Sequence, residues 1–581
     1  MSYAPTQEQK AIVDAARTGA DIVINAGAGG GKTSTTRLIA RAKPNLGGAY
    51  LAFNKSVAAE AEHSFPSTVA AGTTHKFAYR ALGYRYKHRL KSPRMKAKDI
   101  AALLGVTAPL VLGTDVPKLA PAQVARMVMG TIKRFTYSGD RHLTRKHMPP
   151  FVGFEADAAR DALAQAIGPW ARKAWLDIAA IDGMLPFDGD CYIKLWQLTD
   201  PMLRYDYIIV DEAQDLNRAL AAVIDRQTHA QRILVGDRYQ AINQWRLAID
   251  AMEGFAGDRF NLTKSFRFGP EVAYEANKWL RLLGSDMELT GFDKIASRVE
   301  ACPGAEAILC RTNAATLVAA TDAIKAGRSV AIVGGGGDLA RYAKAAMQLK
   351  AGEPCDHPEL VTFATWREVQ EYCDHDAGDD LATMVRLIDK LGPEEIIRLV
   401  DGLADESVAE VTISTAHKAK GREWKRVRVS DDFHEPRPDP ITRVAKLDRA
   451  DAMLAYVTVT RAQEVLDRGS LEWVDRWLKG PPRAADLRTE RQQFADLLDA
   501  SSLGAPEVRE AIAVAQAEQA STLTGMPEEQ ADWESDEPTP RKPSHPGACH
   551  GICTPQLPNR CLWATPAERA AATTVLIGAS T

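Results

Sequence analysis

Residues 26–33 read Ala26-Gly27-Ala28-Gly29-Gly30-Gly31-Lys32-Thr33 and directly follow the apolar run Ile22-Val23-Ile24. A strand that leads into a glycine turn and then a helix predicts a phosphate-binding loop, because glycines lack the Cβ atoms that would keep backbone N–H groups from phosphate oxygens. The positive end of the helix dipole favours the same anion. In this pattern Lys32 reaches the β- and γ-phosphates and the Thr33 hydroxyl ligates Mg²⁺. The loop alone predicts only that a nucleoside triphosphate binds.

A second stretch carries acidic residues in a matching position. The apolar run Tyr207-Ile208-Ile209-Val210 is followed by Asp211-Glu212-Ala213-Gln214-Asp215. Asp211 at the end of such a strand would hold the metal, usually through water, and Glu212 would orient and deprotonate an attacking water. The alternative is an ordinary acidic loop, which the phosphate-binding pattern upstream and the apolar strand disfavour.

Length and charge limit the interpretation further. At about 150 residues per domain, 581 residues predict about three or four domains. The formal net charge is −3, so the chain has no overall basic excess. One segment between Ala71 and Ile100 is nevertheless strongly basic, with Asp99 as its single acid. This segment is either a solvated helical face or a subdomain that lies on a phosphate backbone. Its cations are Lys76, Arg80, Arg85, Lys87, Arg89, Lys91, Arg94, Lys96 and Lys98.

The expected location is the cytoplasm. No apolar run is long enough to span a bilayer, so no membrane partner is expected. The N-terminus lacks the charged-then-apolar pattern of a secretory signal. Eight cysteines are scattered without the spacing of a disulfide framework, which is typical of a reducing compartment.

The carboxylate stretch is also the starting point of a family resemblance. Asp211–Asp215 resembles motif II of the UvrD/Rep group of superfamily-one DNA helicases, and motifs Ia and V are most similar to those of the F-box helicase branch and its phage and bacterial relatives. No F-box is expected ahead of the first motif. The other motifs follow in the family's order: Thr6-Gln7-Glu8-Gln9 (Q motif), Phe53-Asn54-Lys55-Ser56 (Ia), Thr73–Ala78 (Ib), Val235-Gly236-Asp237 with Gln240, Ile242, Trp245 and Arg246 (III), Ser265-Phe266-Arg267 (IV), Leu309–Asn313 (after IV), Ser414–Trp424 (V) and Leu454–Ala462 (VI).

The resemblance covers about residues 3–470 and implies an α/β fold with two RecA-like P-loop motor domains, helical insertions and a flexible C-terminal tail. Short apolar runs predict strands at 207–210, 233–235, 307–310, 330–333, 411–414 and 427–429. The predicted parts are 1–76 and 191–255 for the first motor domain, 77–190 for a basic helical insertion, 256–337 and 406–485 for the second motor domain, 338–405 for a small helical insertion, and 486–581 for an acidic, Pro-rich linker and tail.

For the ATP site, the resemblance implies that Gln9 reads adenine, Phe266 stacks on it and Glu423 accepts a hydrogen bond from the ribose. Arg267 and Arg461 are implied to be arginine fingers from the second domain. The implied catalytic set is Lys32, Asp211, Glu212, Gln240, Arg267 and Arg461, with Mg²⁺ held at Thr33 and Asp211. The implied nucleotide-binding set is Gln9, Ala26, Gly27, Ala28, Gly29, Gly30, Gly31, Lys32, Thr33, Ser34, Phe266, Arg267, Glu423 and Arg461.

The resemblance also implies a track for single-stranded and junction DNA. Trp245 would stack on a base, which suits a motor because every base has a π-face and the grip need not depend on sequence. Gln240 would couple this track to the nucleotide. The implied DNA-binding residues are Asn54, Lys55, Thr74, His75, Trp245, Arg246, Thr415, His417 and Lys418.

The C-terminal tail carries a different pattern. Its histidines and cysteines could bind Zn²⁺, although their spacing is not that of a standard finger. The other interpretation is a flexible segment that docks a protein partner. The residues concerned are His545, Cys549, His550, Cys553 and Cys561.

Taken together, the motifs predict an ATP-dependent helicase that moves on single-stranded DNA, with 3′→5′ polarity implied by the resemblance, and unwinds duplex DNA. Two alternatives stay open. One is a translocase that strips proteins from single strands with little unwinding. The other is an ATP-switched DNA-binding adaptor, against which the intact catalytic set argues.

Overall fold

The computed structural model describes residues 4–480, except 53, 92–94, 114, 115, 117, 152, 153, 155, 243–250, 356, 358, 361, 362, 364, 374–378 and 439–443. Trp245, Arg246 and the whole tail with its histidines and cysteines therefore lie outside the described residues. Both sheets lie in one compact unit of the chain, whereas Glu435–Leu447 and 475–480 belong to a second, small unit.

Six parallel strands form the first sheet. They are β1 (Ile22–Ala26), β2 (Gly48–Ala52), β3 (Val69–Thr73), β4 (Tyr207–Val210), β5 (Gln231–Gly236) and β6 (Asp258–Leu262), in the order β3-β2-β4-β5-β1-β6. Every residue of β1, β2 and β4 is buried, as expected for parallel strands that are covered on both faces. The carboxyl ends of all six strands meet at one edge, which is where open parallel sheets bind their ligands.

Helices cover both faces of this sheet. On one face, Ile12, Ile24 and Ile39 contribute to a core built by the sheet's own helices. On the other face, Leu51 and Val210 share a core with the inserted helices. The sheet's helices are α1 (Gln7–Arg17), α2 (Lys32–Arg41), α3 (Lys55–Ser64), α4 (Thr74–Ala81) and α9 (Arg218–Asp225); the inserted helices are α5 (Ala97–Leu104), α6 (Pro121–Tyr137), α7 (Asp157–Ala179) and α8 (Gly189–Leu198).

Part of the basic segment has a structural role. The Arg89 side chain is only 4% exposed and donates hydrogen bonds to the carbonyls of Ile178 (2.9 Å), Ala180 (2.6 Å) and Leu185 (2.9 Å). Its guanidinium also lies 4.7 Å from the ring centroid of Phe187. Arg89 thus fastens the end of α7 to the loop that follows. It is not available to a phosphate backbone, whereas its neighbour Lys91 is exposed.

A second sheet, also parallel throughout, follows in the chain. Its strands are β7 (Arg298–Val299), β8 (Ala307–Cys310), β9 (Val330–Ile332), β10 (Val411–Thr415), β11 (Trp424–Val429) and β12 (Ala462–Asp467), in the order β7-β12-β11-β8-β10-β9. The helices are α10 (Pro270–Leu282), α11 (Asn313–Lys325), α12 (Gly337–Lys350), α13 (Trp366–Cys373), α14 (Asp379–Leu391), α15 (Pro393–Asp401), α16 (Ala416–Ala419), α17 (Arg449–Val459) and α18 (Val474–Trp477).

The α/β class and the six predicted strands are confirmed, and the intervals 77–190 and 338–405 contain helices without a sheet strand among their described residues. Strand β6 differs from expectation. It falls in the interval predicted for the second domain, yet it pairs with β1 in the first sheet, so the predicted boundary at 255/256 lies in front of a first-sheet strand. Because β6 is an edge strand and mostly exposed, it lacks the continuous apolar run that marked the others.

Two other expectations concern membranes and zinc. In the part of the chain that the structure describes, no helix has the length and apolar character needed to cross a bilayer. Among the same residues, no three His, Cys, Asp or Glu side chains cluster as metal ligands. The zinc prediction concerns the tail, outside these residues, and stays a prediction.

The burial of Arg89 leads to a stability prediction. Arg89→Ala should lower the free energy of unfolding by about 3 kcal/mol, because it leaves buried carbonyls without donors. Lys91→Ala, at an exposed neighbouring position, should change it by less than about 0.5 kcal/mol. Thermal unfolding of both variants measures the difference. Equal midpoints would show that Arg89 does not fasten α7.

Candidate functional site

The loop between β1 and α2 forms a glycine-lined cradle. Gly29 and Gly31 have φ angles of 73° and 77°, in the left-handed region that favours glycine. A Cβ atom at Gly29 would lie 2.4 Å from Ser265 Oγ and 2.6 Å from Arg267 Cβ. Backbone hydrogen bonds hold the loop, including those from Gly27 N–H to the Leu262 carbonyl (3.0 Å), from Gly30 N–H to the Gly27 carbonyl (2.8 Å) and from Phe266 N–H to the Gly29 carbonyl (2.9 Å). The glycines are therefore required both by backbone conformation and by close packing.

Lys32 begins α2 and points at the acidic end of β4. Its Nζ lies 2.5 Å from Glu212 Oε1, and the two side chains are 20% and 26% exposed. Burial alone would lower the pKa of Lys32, but Glu212 and Asp211 raise it above its ordinary value. Burial alone would raise the pKa of Glu212, but Lys32 and then Lys420 lower it to about 2. Both groups are therefore charged at neutral pH.

Asp211 and Glu212 follow β4 with an unusual backbone. Glu212 has a φ of 51°, a strained conformation for a residue with a Cβ and one found preferentially at functional sites. Asp211 accepts hydrogen bonds from the Tyr50 hydroxyl (2.6 Å) and from the backbone N–H of Glu212 (3.0 Å). Burial and then the charge of Glu212 raise the pKa of Asp211. Tyr50, on the adjacent strand β2, therefore orients the carboxylate that was predicted to hold Mg²⁺.

Gln9 and Phe266, which are predicted to contact the adenine base, both lie next to Gly31. A Cβ atom there would lie 3.3 Å from Gln9 Nε2 and 3.7 Å from the Phe266 ring. The Gln9 amide is fixed at both ends, since it accepts from Thr6 N–H (3.0 Å) and donates to Thr35 Oγ1 (3.0 Å). This capping arrangement at α1 leaves the second N–H and the second lone pair of the amide for another partner.

The two predicted arginine fingers have different surroundings. Arg267 Nε lies 2.5 Å from Glu423 Oε2, and Gln463 donates to the other oxygen of Glu423 (2.8 Å). Both carboxylate oxygens of Glu423, which is predicted to contact the ribose, therefore already bind protein groups. Arg461 is 1% exposed, and burial and then the charge of Arg267 lower its pKa to about 9. Its hydrogen bonds go to the Val457 carbonyl (2.8 Å), the Arg422 carbonyl (3.2 Å), Thr460 Oγ1 (3.0 Å) and Gln240 Oε1 (3.3 Å).

Gln240 lies between these arginines and the first sheet. Its Nε2 donates to Asp237 Oδ2 (2.7 Å) while its Oε1 accepts from Arg461. Its main-chain carbonyl accepts from Lys420 Nζ (2.5 Å), which also pairs with Asp215 (2.5 Å). Gln240 therefore contacts charged groups from both sequence regions that were predicted to form the ATP site.

The residues predicted to hold DNA in the first domain lie on two strand–helix turns. Asn54 is the N-cap of α3, accepting from Val57 N–H (2.9 Å), and Lys55 next to it is exposed. At the start of α4, Thr74 is buried, whereas the His75 side chain is half exposed and its Nε2 lies 3.8 Å from Asp190. Thr74 is thus less suited to contact DNA than its neighbours are.

The second sheet carries a matching turn. Thr415 ends β10 and caps α16 by accepting from Lys418 N–H (3.4 Å), as Thr73 caps α4 by accepting from Lys76 N–H (3.1 Å). His417 is exposed and lines a cavity of about 250 Å³ together with Arg311, Ala241 and Ile242. Although part of the residue is exposed, desolvation by the neighbouring protein atoms and then the charge of Arg311 lower the pKa of His417, so its imidazole is mostly neutral at pH 7. Lys418 Nζ lies 3.4 Å from Asp338.

The donor set fits a magnesium nucleotide. A left-handed glycine turn at the start of a ten-residue helix presents N–H groups to an anion. A hydroxyl at Thr33 and a buried carboxylate at Asp211 are the oxygen ligands that Mg²⁺ prefers. Ser34 is exposed at the third position of α2, and Ala26 is the last residue of β1, just before the loop.

Contributors to this site that were not among the predicted site residues include Tyr50, Lys420, Tyr456, Arg311 and Asp237. Lys420 lies inside motif V and Tyr456 inside motif VI, so the motif boundaries could have directed attention to them. Tyr50 lies in an apolar strand, where a tyrosine is ordinarily a core residue. Its role becomes visible only when β2 and β4 are paired.

Comparison with known proteins supports the family assignment. Residues 9–246 match a family described as an AAA domain, of the UvrD/Rep-like superfamily-one helicase type. "F-box DNA helicase protein 1" of Schizosaccharomyces pombe is 29% identical over 503 residues, which cover 79% of this chain and 57% of that protein. "F-box DNA helicase 1" of Gallus gallus is 28% identical over 510 residues, which cover 79% of this chain and 48% of that protein. The chain spans about half the length of these relatives.

The Tyr50 contact predicts a weaker metal site when its hydroxyl is removed. Tyr50→Phe should raise about tenfold the Mg²⁺ concentration needed for half-maximal binding of a fluorescent ATP analogue, because groups that orient a metal ligand typically contribute 10- to 100-fold to affinity. Tyr207→Phe is the matched control, since the Tyr207 hydroxyl is buried in the same sheet without a hydrogen-bond partner among the described residues. Identical Mg²⁺ curves for the two variants would contradict the role of Tyr50.

Proposed function

We propose that this chain, whose residues 9–246 match an AAA domain family and whose motifs resemble those of UvrD/Rep-like superfamily-one helicases, is an ATP-dependent DNA helicase that translocates on single-stranded DNA. The observation that supports this most strongly is the contact of Lys32 with Glu212 beside a buried Asp211, with Arg461 and Gln240 at the same site. These side chains come from four separate motifs and supply the groups that phosphoryl transfer to water requires.

The ion pair suggests how hydrolysis would be controlled. While Lys32 contacts Glu212, it lowers the pKa of that carboxylate and makes it a weak base. When Lys32 turns to a phosphate, Glu212 loses its partner and becomes a better acceptor for a proton of the attacking water. Mg²⁺, bound with ATP, neutralises charge on the phosphates. Arg267 and Arg461 would stabilise the charge that develops as the bond to the γ-phosphate breaks. Gln240, which contacts both Arg461 and Asp237, would link the position of Arg461 to the first sheet.

The DNA track is proposed along the carboxyl edges of both sheets. On the first sheet, the exposed residues Lys55 and His75 lie at the start of the helices that follow β2 and β3. On the second sheet, exposed His417 and partly exposed Lys418 lie in the helix that follows β10. Trp245 and Arg246, which lie outside the described residues, are assigned to the track by the family resemblance alone. A change in the spacing of two such contact sets, driven by nucleotide, is what movement along a strand requires. The 3′→5′ direction is carried over from the family resemblance.

Loss of either member of the ion pair should stop turnover. Lys32→Ala and Glu212→Gln should each reduce DNA-stimulated ATP hydrolysis at least about 100-fold, because one removes charge stabilisation and the other removes the general base. Lys10→Ala on the exposed surface of α1 is the control and should retain full activity. Release of phosphate with and without single-stranded DNA provides the measurement, and full turnover by either site variant would refute the assignment.

A strand-displacement assay separates the proposed helicase from its alternatives. We expect ATP-dependent release of a labelled strand from a duplex with a 3′ single-stranded tail, and no release from one with a 5′ tail. Release from the 5′-tailed duplex alone would reverse the polarity. Removal of streptavidin from a biotinylated single strand without duplex release would identify a stripping translocase. DNA binding without ATP turnover would identify an adaptor.

A further inference from the structure

Tyr456 lies on α17 in the second domain, and its ring is completely buried. Its hydroxyl accepts a hydrogen bond from the backbone N–H of Ala28 in the phosphate-binding loop (3.1 Å). The same hydroxyl donates to Asp237 Oδ2 (3.1 Å), at the end of β5. One oxygen atom from the second domain therefore contacts both the loop and a buried carboxylate of the first domain.

The contact extends to residues of the ATP site. Asp237 Oδ2, which accepts from Tyr456, also accepts from Gln240 Nε2 (2.7 Å), and Gln240 Oε1 in turn accepts from Arg461 (3.3 Å). Arg461 follows Tyr456 by five residues and lies just beyond the C-cap of the same helix, Thr460. The hydrogen bonds thus form a closed path that leaves α17 at Tyr456, passes through Asp237 and Gln240, and returns to the chain at Arg461.

We propose that Tyr456 is a positioning residue for ATP hydrolysis, whose hydroxyl aligns Arg461 and Gln240 with the phosphate-binding loop. This inference rests on the function proposed above. A hydroxyl suits the role because it can accept from the loop and donate to a carboxylate at the same time. A phenylalanine would fill the same volume and keep the edge contact with the ring of Tyr239 (6.5 Å between centroids), but it could make neither bond.

The chemistry of the surroundings keeps this bridge intact. Burial and then the charge of Asp237 raise the pKa of the Tyr456 hydroxyl, so it remains a donor across the pH range of activity. Burial also raises the pKa of Asp237, but bonds from Gln240, Tyr239 N–H and Tyr456 favour its charged form. Loss of the hydroxyl would leave a buried backbone N–H of Ala28 without this acceptor, while the core around the ring stays filled.

The test compares Tyr456→Phe with wild type and with Tyr342→Phe. Tyr342 is a buried tyrosine on α12, in the interval predicted for the small helical insertion, and its hydroxyl has no hydrogen-bond partner among the described residues. Tyr456→Phe should lower kcat for DNA-stimulated ATP hydrolysis about 10- to 100-fold, as expected for misaligned catalytic groups. Its equilibrium affinity for a fluorescent, non-hydrolysed ATP analogue should stay close to that of Tyr342→Phe, while its unfolding midpoint should fall modestly, because two buried hydrogen bonds are lost.

A double-variant cycle tests the route. If the hydroxyl acts through Gln240, adding Tyr456→Phe to the Gln240→Ala variant should lower kcat by less than about threefold relative to Gln240→Ala alone. If the two residues acted independently, the fold-losses of the single variants would multiply in the double variant. Unchanged kcat in Tyr456→Phe would overturn the proposal. So would a parallel fall in kcat, nucleotide affinity and unfolding midpoint, which would indicate a purely structural tyrosine, and so would multiplicative effects in the cycle. Failure of the wild-type chain to hydrolyse ATP would instead refute the proposed function, and the two failures are therefore distinguishable.

Discussion

The ion pair between Lys32 and Glu212 is the constraint around which the site is built. Two opposite charges that are mostly withdrawn from water stabilise each other only when each is well positioned, because desolvation opposes the pair. The left-handed turn of Gly31 directs Lys32 toward β4, and the left-handed backbone of Glu212 turns its carboxylate back toward the loop. Both turns lie at the carboxyl edge of the first sheet, next to parallel strands that are buried on both faces. The rigid sheet thus holds the strained backbone of Glu212 in place, opposite a glycine that adopts the left-handed region without strain, so that one strong contact can form.

Residues of the second sheet and its helices contact the surroundings of the Lys32–Glu212 pair. They do so through hydrogen bonds to uncharged groups as well as through ion pairs. Tyr456 bonds to the phosphate-binding loop, Arg461 to Gln240, and Lys420 to Asp215 and the Gln240 carbonyl. Because hydrogen bonds depend steeply on distance and angle, such contacts respond to small shifts between the two sheets. If Lys32 changed its partner, the hydrogen bonds of the residues that follow β5, β10 and α17 would therefore change in length or angle. This arrangement gives a physical route by which the chemistry of a nucleotide and the position of the turns proposed to contact DNA can be linked.

The sequence predicted the parts of the site that are local and missed those that depend on distant pairing. The loop at 26–33 and the acids after β4 are short motifs whose chemistry can be interpreted within a few residues. Tyr50 meets Asp211 across 161 positions, and Ala28 meets Tyr456 across 428, so neither contact leaves a local pattern. Arg89 illustrates the opposite error, because it resembles its basic neighbours in sequence but is buried under α7 carbonyls. Strand β6 was assigned to the wrong side of a boundary because an exposed edge strand has no continuous apolar run.

The charge balance at the site indicates what it is suited to bind. Arg267 is paired with a carboxylate, whereas the hydrogen bonds of Arg461 described here go to neutral oxygens. Burial and the neighbouring Arg267 already lower the pKa of Arg461 to about 9, which leaves it charged at neutral pH but in an unfavourable environment. A multiply charged anion placed near both arginines would relieve this cost, and it would also offer Lys32 an alternative to Glu212. The site thus holds its cations in positions that a triphosphate would stabilise further, and the two sheets contribute those cations jointly. Binding energy from the phosphates is then available to bring the sheets into one arrangement, which is the property that a nucleotide-driven motor needs.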